Sequence, residues 1–127
     1  MDPQWREQSK VVGSLGFYGP GRHLERSNAR SPGADYVTKI GVVIEGDSPI
    51  TVSIAPRDRP RAALIYRRGI FSIRQVEKGD SSITFEPCLN SDRTAWAGGF
   101  VLKDRGSISL VIAEPETGMT RTISLGS

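Results

Sequence analysis

From Asp35 onward apolar residues recur at every second position, and no stretch of ten or more residues follows helical spacing. Side chains two apart share one face of an extended strand, so the pattern demands sheets that bury one face in a common core. Ile50, Val52 and Ile54 alternate with Thr51 and Ser53, and Ile83 and Phe85 with Thr84 and Glu86. Ile108, Leu110 and Ile112 alternate with serines 107 and 109, and Met119, Arg121, Ile123 and Leu125 with Thr120, Thr122 and Ser124. Phe71 and Ile73 face away from Ser72 and Arg74, and Trp96 to Leu102 supplies a further strand. Turn formers separate these runs at 45–49, 77–80, 103–106 and 114–118. Across the first of them, Val37–Ile44 and Ile50–Ile54 are expected to form a β-hairpin. Ala62 to Arg67 is apolar on both faces over most of its length, which places it near the middle of a sandwich. The fold class that follows is all-β: an immunoglobulin-like two-sheet antiparallel β-sandwich of about seven to nine strands. Ile50, Val52, Ile54, Leu64, Phe85, Trp96, Phe100, Leu110 and Ile123 are expected inside.

The chain has 127 residues, enough for one core and too few for two, so a single domain over 1–127 is expected. Residues 1–10 read as a polar, disordered lead, Val11 to Tyr18 as a first strand, and 19–34 as a long loop rich in Gly, Pro, Ser and Arg. No apolar run is long enough to span a membrane, and the first ten residues hold no signal-peptide centre. With one cysteine, Cys88, an intrachain disulfide and a Cys/His zinc site are both excluded, and no cofactor is expected.

The net charge of +3 is mild, but its distribution is uneven. Arg57, Arg59, Arg61, Arg67 and Arg68 face a single acid, Asp58, across twelve residues, and guanidinium groups suit phosphates and carboxylates. These five arginines are the candidate anion-binding residues; the competing reading is ordinary solvated surface. Nucleic acid is disfavoured, because single-strand binders interleave aromatics with the basic groove and this segment offers only Tyr66.

Ile83-Thr84-Phe85-Glu86-Pro87-Cys88, Thr94-Ala95-Trp96-Ala97-Gly98-Gly99-Phe100-Val101 and Gly106-Ser107-Ile108-Ser109-Leu110 occur in an order that resembles a family of uncharacterised actinobacterial proteins. Val42 to Gly46, Pro49 to Val52 and Ala62 to Tyr66 also look like strands of that family, so the resemblance covers most of the chain. It implies an extracytoplasmic domain behind an N-terminal membrane segment, with Met1 a trimmed start. Family members carry a second cysteine where this chain has Ser107, so the resemblance leaves Cys88 without the partner that it has there.

No catalytic constellation emerges. Cys88 and His23 are the one thiol and one imidazole, and nucleophilic catalysis needs them in contact with a third, orienting group. A half-buried thiol at a strand end and a loop histidine is the simpler expectation. Asp35, Asp47, Asp58, Glu77, Asp80, Asp92, Asp104, Glu114 and Glu116 mostly fall in turns, where carboxylates end strands and solvate loops. Gly98-Gly99 lacks the helix and spacing of a phosphate loop and reads as a bulge or a close backbone approach. The function expected is a non-enzymatic interaction module binding a protein or an anionic envelope component. The alternatives are a carbohydrate-binding module using Trp5, Tyr18, Tyr36 or Trp96, and, last, a hydrolase using loop carboxylates.

Overall fold

The computed structural model describes residues 9–18, 36–66, 76–89, 92–104 and 107–125. Among them are eleven strands: β1 Ser9–Val12, β2 Leu15–Tyr18, β3 Tyr36–Lys39, β4 Gly41–Glu45, β5 Ile50–Ile54, β6 Ala62–Ile65, β7 Ser82–Phe85, β8 Arg93–Trp96, β9 Gly99–Leu102, β10 Ile108–Glu114 and β11 Met119–Leu125. Helical structure among these residues is confined to two single 3-10 turns, Pro56–Asp58 and Val76–Lys78. All ladders are antiparallel. No helix is long and apolar enough to cross a membrane among the described residues.

Three ladder groups, β1-β2-β4-β8, β3-β9-β6 and β11-β10-β5-β7, resolve into two sheets. β3 pairs with β9 and β4 with β8 in one unbroken register, from Tyr36↔Leu102 to Glu45↔Arg93. The rung between them is present, because the Ile40 N–H donates to the Gly98 carbonyl at 3.1 Å. β3/β4 and β8/β9 are therefore two long strands, and the first sheet runs β1, β2, β3/β4, β8/β9, β6. The second runs β11, β10, β5, β7, so five strands face four. The order β2-β3/β4-β8/β9-β6 against β11-β10-β5 reproduces the A-B-E-D and G-F-C order of an immunoglobulin-type sandwich. β1 beyond β2, and β7 beyond β5, are additions to that scheme.

The alternating residues meet between the sheets. Leu15, Phe17, Ile40, Val42, Ile44, Ile50, Val52, Ile54, Leu64, Phe100 and Leu110 are all fully buried there. Each such side chain withdrawn from water contributes about 1.5–3 kcal/mol before the cost of ordering it. Of the nine residues expected inside, seven are buried, while Trp96 and Ile123 pack half-buried against the same cluster.

Three local expectations are corrected. Val11 to Tyr18 is a hairpin rather than one strand, because Gly13 at φ 59 opens a two-residue turn with Ser14. Residues 37–44 and 50–54 form no hairpin: β4 pairs with β2 and β8, and β5 with β10 and β7. The four-residue connection 46–49 instead crosses the roughly 10 Å between the two sheets. β6 lies at a sheet edge rather than in the middle. Its second apolar face is explained by a smaller cluster, in which Ala63, Ile65 and Val101 lie under Val76 of the second 3-10 turn. The free edge of β6 is partly closed by Asp80, which exchanges backbone hydrogen bonds with Leu64 at 2.7 and 2.9 Å. The expected polar lead ends early, because Ser9 and Lys10 already belong to β1 and pair with Tyr18 and Phe17; residues 1–8, the 19–34 loop and the Phe71/Ile73 strand lie outside the described residues.

Candidate functional site

After β5 the chain must cross from the second sheet to β6 in the first. It does so through Pro56–Asp58, a turn that Pro56 favours by presetting its φ. The turn closes with Asp58 N–H to Ala55 C=O at 2.8 Å and Arg61 N–H to Asp58 C=O at 3.1 Å. Asp58, expected as a solvated turn carboxylate, is instead buried, with 6% of its surface exposed. A buried carboxylate is tolerated only when its oxygens are fully engaged. Oδ2 accepts the backbone N–H of Ser109 at 2.8 Å, and Oδ1 accepts Arg61 Nε at 3.1 Å. Arg57 Nε lies 3.8 Å from Oδ2.

This arrangement divides the arginines. Arg61 is committed to the fold: besides Asp58 it donates to Asp104 Oδ1 at 2.9 Å and to the Ser107 carbonyl, and its own carbonyl accepts Lys103 N–H at 2.8 Å. It thereby ties the β5–β6 connection to the segment between β9 and β10. Arg57 stands outward, its side chain 79% exposed, steadied by a 2.7 Å hydrogen bond to Ser109 Oγ. Arg59 is also exposed and donates through Nε to the Ile54 carbonyl at 3.2 Å. The structure thus brings Arg57, Arg59 and Arg61 to one end of the sandwich, where Asp58 and Asp104 offset two of their three positive charges. Arg67 and Arg68 lie outside the described residues. Sequence reasoning missed Asp58 as the centre of this cluster; the one signal available was its isolation among arginines.

The other candidates do not converge. Cys88, expected half-buried, is exposed, and its backbone N–H donates to Thr94 Oγ1 at 3.0 Å. Position 88 follows Pro87 beyond the end of β7 at Phe85, so it has left the strand whose alternation would have buried it. Reductant is expected to leave the melting temperature of the monomer unchanged, as followed by circular dichroism with and without dithiothreitol; a fall of several degrees would mean that a disulfide supports the fold. His23 and Trp5 lie outside the described residues. Tyr36 and Trp96 are half-buried, and the Trp96 ring meets Phe85 edge-on, centroids 5.0 Å apart at 66°. Among the described residues no three His, Cys, Asp or Glu side chains are placed to hold a metal ion.

Gly98 proves to be a close-approach site. It stands opposite Tyr66 in the continued β6–β9 register, and a Cβ there would lie 2.2 Å from Tyr66 Cδ1. The Tyr66 ring covers the glycine, its hydroxyl donates to the Ile40 carbonyl at 2.6 Å, and it meets Phe85 and Phe100 edge-on. Tyr66 thus closes the core at the junction of β3 with β4 and of β8 with β9.

No protein-family model matches the chain, and no curated protein matches it. Among solved structures it is similar to a FixG-related protein from Vibrio parahaemolyticus, at 8% identity and a TM-score of 0.38, over 89% of this chain and 94% of that one.

Proposed function

We propose that the domain is a non-enzymatic interaction module that engages an anionic group, carboxylate or phosphate, on a protein or envelope component through the end of the sandwich carrying Arg57 and Arg59. One observation carries this reading: Arg57 is held by Ser109 and flanked by the buried Asp58, yet its side chain stays largely exposed to solvent. Such a group is positioned in advance, so less ordering entropy is lost when it grips an oxyanion. The motif order shared with the actinobacterial family supports an extracytoplasmic setting.

The test titrates the wild type and an Arg57→Gln, Arg59→Gln variant against anionic lipid vesicles, acidic glycans and an acidic peptide at low and physiological salt. Arg61 is left intact because it supports the fold. Wild-type binding is expected to weaken steeply with salt, as exposed charges are screened beyond about 8 Å at physiological ionic strength. The double substitution is expected to weaken it by about tenfold at low salt with the melting temperature unchanged. Equal binding by the two proteins, or none by either, would sink the proposal.

A further inference from the structure

β11 is a seven-residue edge strand, and its burial is unlike that of every inner strand. Met119 through Thr122 and Ser124 are exposed, Ile123 is half-buried, and only Leu125 is buried. Among the described residues, β10 is its one ladder partner. The direction of its backbone groups follows from β10. Ala55 N–H donates to the Ser109 carbonyl at 2.9 Å, so Ser109 turns its backbone toward β5, and its neighbours Ile108, Leu110, Ile112 and Glu114 turn theirs toward β11. The residues opposite those four, Leu125, Ile123, Arg121 and Met119, use their N–H and C=O groups on β10. Thr120, Thr122 and Ser124 therefore aim three N–H and three C=O groups out of the sheet.

We infer that this edge pairs with the same edge of a second copy of this chain, antiparallel about a two-fold axis through Thr122. That register sets Thr122 opposite Thr122 and Thr120 opposite Ser124, so every outward donor meets an outward acceptor. It also places Arg121 opposite Ile123, so no charge faces a like charge directly, which is the arrangement an antiparallel pair requires. On the outer face the result is a row of opposed hydroxyls. The same sheet already joins β5 to β7 with such a row: Thr51 Oγ1 lies 2.7 Å from Thr84 Oγ1, and Ser53 Oγ lies 2.9 Å from Ser82 Oγ. The edge also lacks the proline and lysine that commonly block strand addition, as Met119–Leu125 contains neither. Two four-stranded sheets would become one of eight strands, leaving the arginine end of each copy exposed.

The experiment follows mass by sedimentation over micromolar to millimolar protein, and proximity by a short thiol-to-thiol crosslinker in a Cys88→Ser background. The wild type is expected to approach twice the monomer mass as concentration rises. Thr122→Pro removes an outward N–H and no internal hydrogen bond, so it is expected to stay folded and monomeric. Thr122→Cys is expected to crosslink, its two thiol-bearing residues lying about 5.5 Å apart across the axis. Thr120→Cys is expected not to, because its copies are separated by about 14 Å along the strands. A wild type that is monomeric throughout, a dimer that survives in folded Thr122→Pro, or crosslinking as efficient at position 120 as at 122 would each overturn the inference. Should Thr122→Pro unfold, the contrast between the two cysteine positions decides alone.

Discussion

Replacing Asp58 with alanine is expected to destabilise the domain by about 3 kcal/mol, measured by urea unfolding at neutral pH. Two losses combine. The buried Ser109 N–H loses its acceptor, and Arg61, whose side chain is 27% exposed, loses one of its two carboxylates. Asp58→Asn keeps one carbonyl oxygen able to accept from Ser109 and is expected to cost about half as much. Arg61→Ala is expected to fall in the same range as Asp58→Ala, since it leaves the buried carboxylate with one short hydrogen bond. Arg57→Gln, at a largely exposed position, is expected to change stability by less than about 0.5 kcal/mol. Similar small effects for Asp58→Ala and Arg57→Gln would show that the cluster is ordinary surface.

The other large effect is expected at Gly98. Gly98→Ala places a methyl group within 2.7 Å of three Tyr66 ring atoms, closer than any real contact allows. The ring cannot simply swing away, because it is held between Phe85 and Phe100 and hydrogen-bonded to Ile40. Overpacking of this kind costs about 3 kcal/mol or prevents folding. The decisive comparison is a double-mutant cycle. In a Tyr66→Ala background, already weakened by loss of the aromatic, Gly98→Ala is expected to be nearly neutral, giving a coupling of about 2–3 kcal/mol. Additive effects would mean that glycine is required there for a reason other than the tyrosine ring. Tyr66→Phe, which removes only the bond to Ile40, is expected to cost about 1 kcal/mol.

Both sites show how far alternation reads and where it stops. The strand pattern identified Ile50, Val52, Ile54, Phe85, Phe100 and Leu110 as core, because burying one face of a pleated strand is a local consequence of every second residue being apolar. The same pattern held Tyr66 and Gly98 in view without linking them. Thirty-two positions apart, they meet only once β6 pairs with β9, and no local periodicity encodes which strands pair. The run 37–44 and 50–54 failed for the same reason: two adjacent alternating strands look alike whether their connection folds back within one sheet or crosses to the other.

Composition and period two determined the class of fold, the absence of long helix among the described residues, and most of the core, since these depend on the solubility and reach of neighbouring side chains. The charge run at 57–68 was equally plain in the sequence, but what its members do was decided by tertiary contacts. Asp58 and Arg61 meet Asp104, Ser107 and Ser109 from more than forty positions away, joined by the pairing of β9 with β6 and the return of β10 beside β5. That return buries one carboxylate, commits one arginine to it, and leaves Arg57 and Arg59 facing water. Burial is a property of what lies on the other side of a residue, and the chain supplies that from far along its length.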